Sequence, residues 1–530
     1  MQWKISKHSI FYNVAALSAA GLVLQLLGFV YRVYLNRMVG VEGLGVYRLL
    51  SPVSSVLIAA TITGTKMAVV NISARYTKKD DQAQIRHLVR RCVCLFLAVF
   101  LTIAIPIGFF HETIALALGD ARISAALVIV LFAIFFSGFE GIFEALYLGI
   151  GQTKYTAISN LIEQATQMVA VLLLLAVVGT NRLERTAMAM AGAAVISEIP
   201  VVIWLVFIYW RLMGKRNEAS QIRRRPDRCA GHMWLSILSI SLPVTVTAIV
   251  TNAIGSVSTI ILPKRLVAAG LTHKEALSEL GIISGMAMPL LLFPMVLVSS
   301  LASVIMPNLS ARLGRDEAAA IKRKIRKSFE AVGLIGFGAT FALMPVASPL
   351  SKILYHQELS IPYVMCLSIC AIFLYFQSIS ISILNGINQQ RLAMISVISG
   401  EMVQLLITWV LCANPQFGIF GYIIAMIAGC FVACAFNLFF IKKISHVLPS
   451  FFKSLFVPLL LGVVMGLFSR FFYHFFLLSM PEGAAIAIAL MVAFAVGMIV
   501  LPVIGLNPLR YLQTLIPSAQ VGDIPLKDRK

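Results

Sequence analysis

The amino-acid sequence predicts an all-helical polytopic membrane protein with about 14 transmembrane helices, arranged as two pseudo-symmetric six-helix lobes plus two C-terminal helices. Its 530 residues are 59% hydrophobic and only 12% charged, whereas soluble domains are nearer half apolar and a quarter charged. This composition excludes a water-soluble enzyme. Three observations lead to the more detailed prediction: the apolar stretches, the distribution of basic residues and an internal repeat.

Apolar stretches account for almost the whole chain. A helix that crosses the bilayer core needs about 20 mostly apolar residues, and the chain contains about 14 such stretches between short polar connections. The longest connection, residues 211–231, is far shorter than the roughly 50 residues that a soluble domain requires. In chain order the predicted spans are residues 10–36, 44–71, 88–111, 121–149, 155–179, 186–211, 232–262, 278–308, 328–350, 360–386, 391–412, 418–441, 450–475 and 483–505.

Basic residues are concentrated in every second connection. If the N-terminus is cytoplasmic, the inner segments carry 31 of the 43 Lys and Arg residues, the outer loops carry nine and the spans carry three. Because cytoplasmic connections have this excess in membrane proteins, both termini are predicted to be cytoplasmic. The net charge of +21 is therefore a topology signal that also attracts anionic membrane lipids, and we expect no nucleic-acid partner.

An internal repeat appears when the chain is compared with itself at an offset of 237 residues. Residues 71–75 then align with residues 308–312, and residues 149–154 align with residues 386–391. Because the offset covers an even number of spans, the repeats keep the same orientation, as in transporters whose site lies between two parallel repeats. The predicted domains are an N-lobe (1–212), a cytoplasmic basic linker (213–231), a C-lobe (232–445) and a last segment with helices 13 and 14 and a cytoplasmic tail (446–530).

Signatures of catalysis are missing from the sequence. It has no phosphate-binding Gly-Lys-Ser/Thr loop, no His-Glu-x-x-His zinc pattern and no acidic pair spaced for magnesium within a helix. The cysteine pairs Cys366/Cys370 and Cys430/Cys434 are interpreted as packing residues rather than as metal ligands. We expect no enzymatic activity, no resident metal and no cofactor.

Basic side chains within the first two predicted spans form the first candidate site. Gln25 and Arg32 share one face of span one, and Arg48 and Lys66 share one face of span two, 18 residues and about 27 Å apart. An ionisable residue deep in a membrane is a functional candidate, so these side chains are candidates to line a water-filled cavity. The alternative is close helix packing, with Arg48 extending to the outer surface.

Acidic residues form the second candidate site. Glu140 and Glu144 lie one turn apart in span four, and Glu163 lies in span five, all in the cytoplasmic half and at a depth similar to that of Lys66. Two interpretations remain open. The cluster is either a structural ion pair between packed helices or a proton or cation site that couples transport to a gradient.

Other polar residues within the spans have weaker claims. Glu198 in span six and Glu401 in span eleven are isolated carboxyl groups, and Glu401 is a further coupling candidate. The second lobe contributes Asn252 within span seven, together with Lys264 and Arg265 at the outer end of that span.

Five stretches of this chain resemble the stage V sporulation protein B-like polysaccharide exporters. They are LGFVYR at 27–32, GVEGLGVY at 40–47, LPKRL at 262–266, AAG at 268–270 and GMAMPL at 285–290. These exporters are similar to lipid-linked oligosaccharide flippases and belong with them to the multidrug/oligosaccharidyl-lipid/polysaccharide flippase superfamily. The resemblance covers roughly residues 10–445.

The resemblance implies a flippase that works by alternating access between its lobes. Its substrate would be a lipid II-like, polyprenyl-diphosphate-linked saccharide used for peptidoglycan or polysaccharide assembly at the bacterial plasma membrane. Cell-wall synthesis enzymes are candidate partners, and membrane potential, Na⁺ or H⁺ are candidate driving forces. The diphosphate would be held by Arg32 and Arg48, with Lys66 as a further candidate. Gln25, Asn252, Lys264 and Arg265 are additional candidate substrate-binding residues.

Two departures from the family pattern affect this site. The chain has Gly64-Thr65-Lys66 where relatives usually have Gly-Ile-Pro, and it has Gln25 where the lipid II flippase branch has an arginine. One alternative function is a cation-coupled multidrug exporter of the same superfamily, although three basic residues would repel its cationic substrates. Another is a non-transporting scaffold for cell-wall synthesis, which gains nothing from charges inside the membrane.

Overall fold

The computed structural model describes residues 7–77, 82–179, 182–214, 230–313 and 318–503. These residues form helices joined by short turns, without a strand among them, so the all-helical prediction is confirmed. The predicted cytoplasmic tail beyond residue 503 lies outside the described residues, as does residue range 215–229 of the predicted linker.

In the first half of the chain the described residues form eight α-helices, with a π-helical segment, Ala59–Thr63, between the second and the third. Their bounds are α1 Lys7–Arg48, α2 Ser51–Ile58, α3 Gly64–Thr77, α4 Gln82–Phe109, α5 His111–Leu118, α6 Ser124–Gly149, α7 Thr153–Val178 and α8 Leu183–Gly214.

In the second half the described residues form eleven α-helices, with π-helical segments at Ile282–Ala287 and Phe452–Phe456. Their bounds are α9 Ala230–Ala268, α10 His273–Gly281, α11 Met288–Leu291, α12 Met295–Leu313, α13 Ala318–Leu343, α14 Ala347–Tyr355, α15 Ile361–Gly386, α16 Gln390–Leu411, α17 Gly418–Ser445, α18 Val457–Leu477 and α19 Glu482–Val503.

The chain is a multi-pass membrane protein. Within the described ranges, 12 helical segments are long and apolar enough to cross a bilayer. A thirteenth is obtained if His273–Leu291 and Met295–Ala302, which meet at an angle of 65°, form one bent span. Pro294 lies at this bend, and proline breaks helices because it lacks an N–H group and its ring clashes with the preceding turn. The number of 14 spans stays a prediction.

A glycine separates the first predicted span from the second. Gly40 interrupts α1 with φ 73° and ψ 171°, a conformation that residues with a Cβ atom rarely adopt. The long helix is therefore two segments joined at an angle, with the short segment after Gly40 leading into α2.

The repeat seen in the sequence recurs in the succession of helices. Helices α13 to α17 follow the same order of long and short segments as α4 to α8. Helices α6 and α15 are both 26 residues long, and their first residues, Ser124 and Ile361, are 237 positions apart. The short helices α5 and α14 precede them in both halves. The repeat is therefore a repeat of structure as well as of sequence.

The described residues group into two compact units, residues 1–289 with 401–425 and residues 290–400 with 426–530. In the first unit, Tyr147 of α6 is fully buried and donates a 2.7 Å hydrogen bond to the carbonyl of Leu205 in α8. In the second unit, Ser469 of α18 donates a 2.8 Å bond to the carbonyl of Ala342 in α13. The lobe limits proposed from the sequence stay a prediction.

Candidate functional site

An ion pair joins two helices of the first unit. The Nζ atom of Lys66 in α3 lies 2.6 Å from Oε2 of Glu144 in α6. Gly141 makes this approach possible, because a Cβ atom there would lie 2.9 Å from a methyl group of Ile62 and 3.1 Å from Cδ of Lys66. The aliphatic stem of Lys66 therefore lies against the backbone of α6, and its ammonium group reaches the carboxylate one turn away.

Three further carboxyl groups lie together next to this pair. The three groups are Glu140 in α6, Glu163 in α7 and Glu198 in α8. Each has one carboxyl oxygen that lies within 4.8 Å of the corresponding oxygens of the other two. Glu140 is 7% exposed and Glu198 is 9% exposed. Glu140 lies nine residues before the end of α6 and Glu163 ten residues after the start of α7, so both are about 14 Å inside their helices. We call these three residues the carboxyl trio.

The trio and the ion pair line one cavity. Its volume is about 550 Å³, and its polar lining consists of Thr63, Lys66, Ser137, Glu140, Glu144, Asn160, Glu163 and Glu198. Four carboxyl groups thus share one ammonium group. Oxygen atoms in this arrangement bind protons or hard cations such as Na⁺, since ionised carboxylates this close repel one another without a counter-charge.

Glu198 belongs to this site, although the sequence predicts that it is an isolated carboxyl group. The structure brings its side chain close to those of Glu140 and Glu163. A signal was present, because Glu198 lies near the middle of its predicted span, at a depth similar to that of the other two acids. What the sequence lacks is the rotation of α8 about its axis, which determines the side that this residue faces.

The predicted basic residues Arg32 and Arg48 both lie in α1, on either side of the break at Gly40. Nη2 of Arg48 donates a 3.2 Å hydrogen bond to the carbonyl of Ser284. Arg32 is exposed on α1 and Arg48 is half-buried. Among the described residues, neither guanidinium group has a carboxylate partner. Gln25 lies in α1, and its side chain is outside the described part.

The end of α1 that we predict to face outward contacts the bent span. Nδ2 of Asn36 donates a 3.3 Å hydrogen bond to the carbonyl of Gly285, which lies in the π-helical segment after α10. A Cβ atom at Gly45 would collide with the carbonyl of Leu277, and one at Gly281 would collide with the carbonyl of Val41. These glycines therefore allow the backbones of α1 and α10 to touch.

An ion cluster reinforces the same contact. Arg122 pairs with Asp120 at 2.6 Å and with Glu42 at 3.3 Å, while Lys274 lies 3.6 Å from Glu42 and His273 lies 3.5 Å from Asp120. Burial alone would raise the pKa of Asp120, but hydrogen bonds from the Arg122 side chain and backbone, the Arg122 charge and a bond with His273 hold that pKa below its ordinary value. Asp120 therefore remains a carboxylate that anchors α10.

The remaining predicted site residues lie apart from the cavity. Lys264 donates a 2.6 Å bond to the carbonyl of Ala117, and Arg265 donates a 2.9 Å bond to the carbonyl of Trp409, with its guanidinium carbon 4.3 Å from the Trp409 ring centroid. Asn252 donates to the carbonyl of Ala248 in its own helix. Carboxyl group Glu401 of α16 lies beside α9 at Gly255 and does not join the trio.

Comparisons with known proteins agree with this architecture. Residues 10–312 match the family described as "Polysaccharide biosynthesis protein". Stage V sporulation protein B of Bacillus subtilis (strain 168) is 22% identical over 449 residues, which cover 84% of this chain and 85% of that protein. The resemblance seen in the sequence is therefore confirmed.

Solved structures share the fold. A lipid II flippase MurJ in an inward closed conformation aligns with a TM-score of 0.66 and 13% identity, covering 92% of this chain and 99% of the other. An inward-facing multidrug resistance MATE family transporter of the MOP superfamily aligns with a TM-score of 0.64 and 15% identity, covering 81% of this chain and 98% of the other. The chain thus has the fold of this superfamily's flippases and transporters.

Proposed function

Because this chain belongs to the family of polysaccharide biosynthesis proteins, we propose that it is a flippase for a polyprenyl-diphosphate-linked saccharide. It moves this lipid II-like molecule across the bacterial plasma membrane by alternating access and leaves it chemically unchanged. The family membership, the similarity to stage V sporulation protein B and the fold shared with a lipid II flippase support this function.

The observation that carries the proposal is a pair of arginines, Arg32 in the first predicted span and Arg48 at the start of the second. Both lie in α1, and neither has a carboxylate partner among the described residues. A diphosphate cannot enter a membrane protein without compensating positive charge, and guanidinium groups bind phosphate oxygens through paired, charge-assisted hydrogen bonds. We therefore assign the diphosphate to Arg32 and Arg48.

Lys66 receives a different role from the one that the resemblance implies. Its ammonium group is already neutralised by Glu144 at 2.6 Å, so it offers less free positive charge to an anion than the two arginines do. We assign Lys66 to the acidic cavity and not to the diphosphate. Gln25, Asn252, Lys264 and Arg265 stay predicted lining residues of the transport route.

Alternating access requires a contact that forms and separates. The contacts of α1 with α10 and the following π-helical segment, through Asn36, Arg48 and the ion cluster around Asp120, hold the bent span against the N-terminal helices. We propose that these contacts close the outer end of the route and separate when the protein opens outward. The membrane potential favours outward movement of the diphosphate. Moving two negative charges outward across 100 mV, inside negative, releases about 4 to 5 kcal/mol.

The proposed orientation places both termini in the cytoplasm, as the distribution of basic residues predicts. In this orientation the arginine pair lies toward the outer half of the membrane and the acidic cavity toward the inner half. Membrane lipids and cell-wall synthesis enzymes are the proposed partners, since the product would be consumed by enzymes that act on the outer surface.

The acidic cavity favours a second candidate, a cation-coupled multidrug exporter. Its four carboxyl groups would attract a cationic drug, and the fold is shared with a MATE family transporter. The two candidates predict opposite substrates, an anionic lipid and a soluble or membrane-dissolved cation. Transport of a cationic dye by the reconstituted protein, without movement of a lipid-linked saccharide, would favour the exporter.

The flippase is tested by reconstituting the protein into liposomes with a labelled polyprenyl-diphosphate saccharide and measuring its transbilayer movement. We expect Arg32→Ala to slow this movement at least about tenfold, since one charge-assisted phosphate contact contributes on the order of 1.5–3 kcal/mol, and Arg32→Lys to retain part of the rate. Arg470→Ala, at an exposed arginine of α18, is the matched control and should leave the rate unchanged. Normal movement with well-folded Arg32→Ala protein would contradict the assignment.

A further inference from the structure

We propose that the carboxyl trio of Glu140, Glu163 and Glu198 is a proton-binding site whose occupancy drives the conformational cycle. This inference deepens the proposed function, because it names the ion to which transport is coupled and the side chains that carry it. The binding of protons by the trio itself does not depend on the substrate.

The first support is the meeting of three helices at one point. Each carboxyl group comes from a different helix, Glu140 from α6, Glu163 from α7 and Glu198 from α8, and their oxygens lie within 4.8 Å of one another. Acids gathered only by chance along one helix would not converge in this way. Carboxyl groups this close repel one another when all are ionised, so binding a proton stabilises the group.

The second support is an atom without a partner. Glu198 is 9% exposed, and its Oε2 atom is buried without a hydrogen-bond partner among the described residues. Leaving a buried carboxylate oxygen unsatisfied costs several kcal/mol in an apolar environment. A proton on this carboxyl group removes the charge that would otherwise be desolvated.

The third support is the balance of charges in the cavity. The ammonium group of Lys66 forms its ion pair with Glu144, and Lys66 is the basic residue among the described residues that line this cavity. Three carboxyl groups therefore remain for which the cavity wall supplies no second cation. Bound protons provide the missing positive charge, and the cavity of about 550 Å³ supplies a route by which water can deliver and remove them.

The ion pair converts proton binding into movement. When a proton leaves the trio for water in the cavity, the trio gains a negative charge and competes with Glu144 for Lys66, whose side chain is 37% exposed. Lys66 lies on α3, which touches α9 where Gly64 meets the carbonyl of Ser241. A shift of Lys66 toward the trio therefore changes the contact between α3 and α9. Protonation of the trio reverses this shift.

Direct detection of the protons is the first experiment. The infrared band of protonated carboxyl groups is recorded on purified protein while the pH is raised from neutral. We expect the wild type to lose a carboxyl band that is smaller in Glu198→Gln and in Glu163→Gln, and unchanged in Glu112→Gln, whose carboxyl group lies exposed in α5. If Glu198→Gln does not fold, Glu163→Gln on the other helix provides the same comparison.

Sodium is the alternative occupant, and the same samples test it. Titration with NaCl against KCl at constant pH should leave the carboxyl band unchanged if the trio is a proton site. A wild-type protein that shows no protonated carboxyl group, or that releases its protons as it binds labelled Na⁺ stoichiometrically, would overturn the proposal.

Coupling is measured separately in liposomes that contain the labelled lipid-linked saccharide. An imposed pH gradient should change the rate of the wild type and of Glu112→Gln, and should have at least tenfold less effect on Glu163→Gln. A carboxyl band that depends on the trio but no lipid movement in any sample would refute the flippase and leave the proton site intact. Lipid movement that responds to the gradient equally in Glu163→Gln and wild type would refute the coupling alone.

Discussion

The two halves of the repeat carry different chemistry at equivalent positions. At the offset of 237 residues, the acidic positions of the first half have uncharged counterparts in the second: Gln377 for Glu140, Ile381 for Glu144, Gly400 for Glu163, and Ala435 for Glu198. Gln377 keeps a buried side-chain oxygen without a hydrogen-bond partner among the described residues. Since the second half forms the same succession of helices without these charges, the charges are not needed to build the helices themselves.

The loops between the short helix and the following span differ in the same way. In the first half Asp120 and Arg122 form an ion pair in this loop. The counterpart of Asp120 is Gln357, and the second loop is held by a buried hydroxyl group instead. Ser351 donates to the carbonyl of Gln357 at 3.0 Å and accepts a 2.9 Å bond from the backbone N–H of Leu359. The first loop, with its ions, contacts the bent span through His273.

The largest expected effect comes from removing the ammonium group of Lys66 in the first half of the repeat. Lys66→Met should lower the free energy of unfolding by about 3 kcal/mol, the lower end of the range for broken buried pairs, because the Lys66 side chain is 37% exposed. Thermal or chemical unfolding in detergent measures this loss. Glu144→Gln in the same protein should recover much of it, because no carboxylate is then left uncompensated next to α3. Equal stability of single and double variants would contradict an ion pair that stabilises the fold.

A smaller loss of stability is expected in the loop of the second half, which Ser351 holds. Ser351→Ala should lower the free energy of unfolding by about 2 kcal/mol, because it leaves the backbone N–H of Leu359, a residue only 2% exposed, without an acceptor. The same unfolding assay applies. Ser382→Ala is the matched control, because its hydroxyl group only donates to a carbonyl of its own helix, and it should change stability by less than about 0.5 kcal/mol. If Ser382→Ala lost as much stability as Ser351→Ala, the prediction that the Ser351 hydroxyl group has a special role would be contradicted.

The smallest expected effect lies in the charged loop and depends on pH. The folded-state pKa of Asp120 is lowered, so its stabilisation is present above the unfolded pKa and is lost as the pH falls through the folded pKa. Asp120→Asn keeps the hydrogen-bond acceptor and should cost about 1 kcal/mol at neutral pH and nothing in acid. Hydrogen exchange, corrected for intrinsic rates, should show acid weakening of loop 119–123 in the wild type and a smaller response to acid in Asp120→Asn. An equal acid response in both proteins would contradict this prediction.

Much of the fold followed from local properties of the chain. The apolar stretches and the basic connections predicted the helices and their orientation, because helix formation and membrane insertion depend on composition within about 20 residues. The resemblance of five short stretches predicted the family. Broken spans were harder to predict. The bend at Pro294 and the break at Gly40 depend on φ and ψ angles, and a proline or glycine within an apolar stretch indicates only that such a break is tolerated.

The candidate sites, too, were predicted only in part from local properties of the sequence. Glu140 and Glu144 were grouped correctly from their spacing on one helix, and the depth of Lys66 suggested its pairing with that group, but the sequence left open whether the cluster was an ion pair or a binding site. The structure shows the ion pair of Lys66 with Glu144 and, beside it, a trio that includes Glu198. Ion binding by the trio stays a proposal. Lys264 and Arg265, predicted to line the cavity, bond to backbone carbonyls in the described residues.

By itself the sequence predicted an all-helical membrane protein, the concentration of charge within the spans of the first half and the resemblance to a family, since each of these depends on neighbouring residues or on the repeat. Only the tertiary structure decided which charges meet. The distance between carboxyl groups on α6, α7 and α8 depends on the rotation of each helix about its axis and on how closely the helices approach, as Gly141 allows for Lys66. Those two quantities are fixed by packing among many side chains, and no single stretch of sequence contains them.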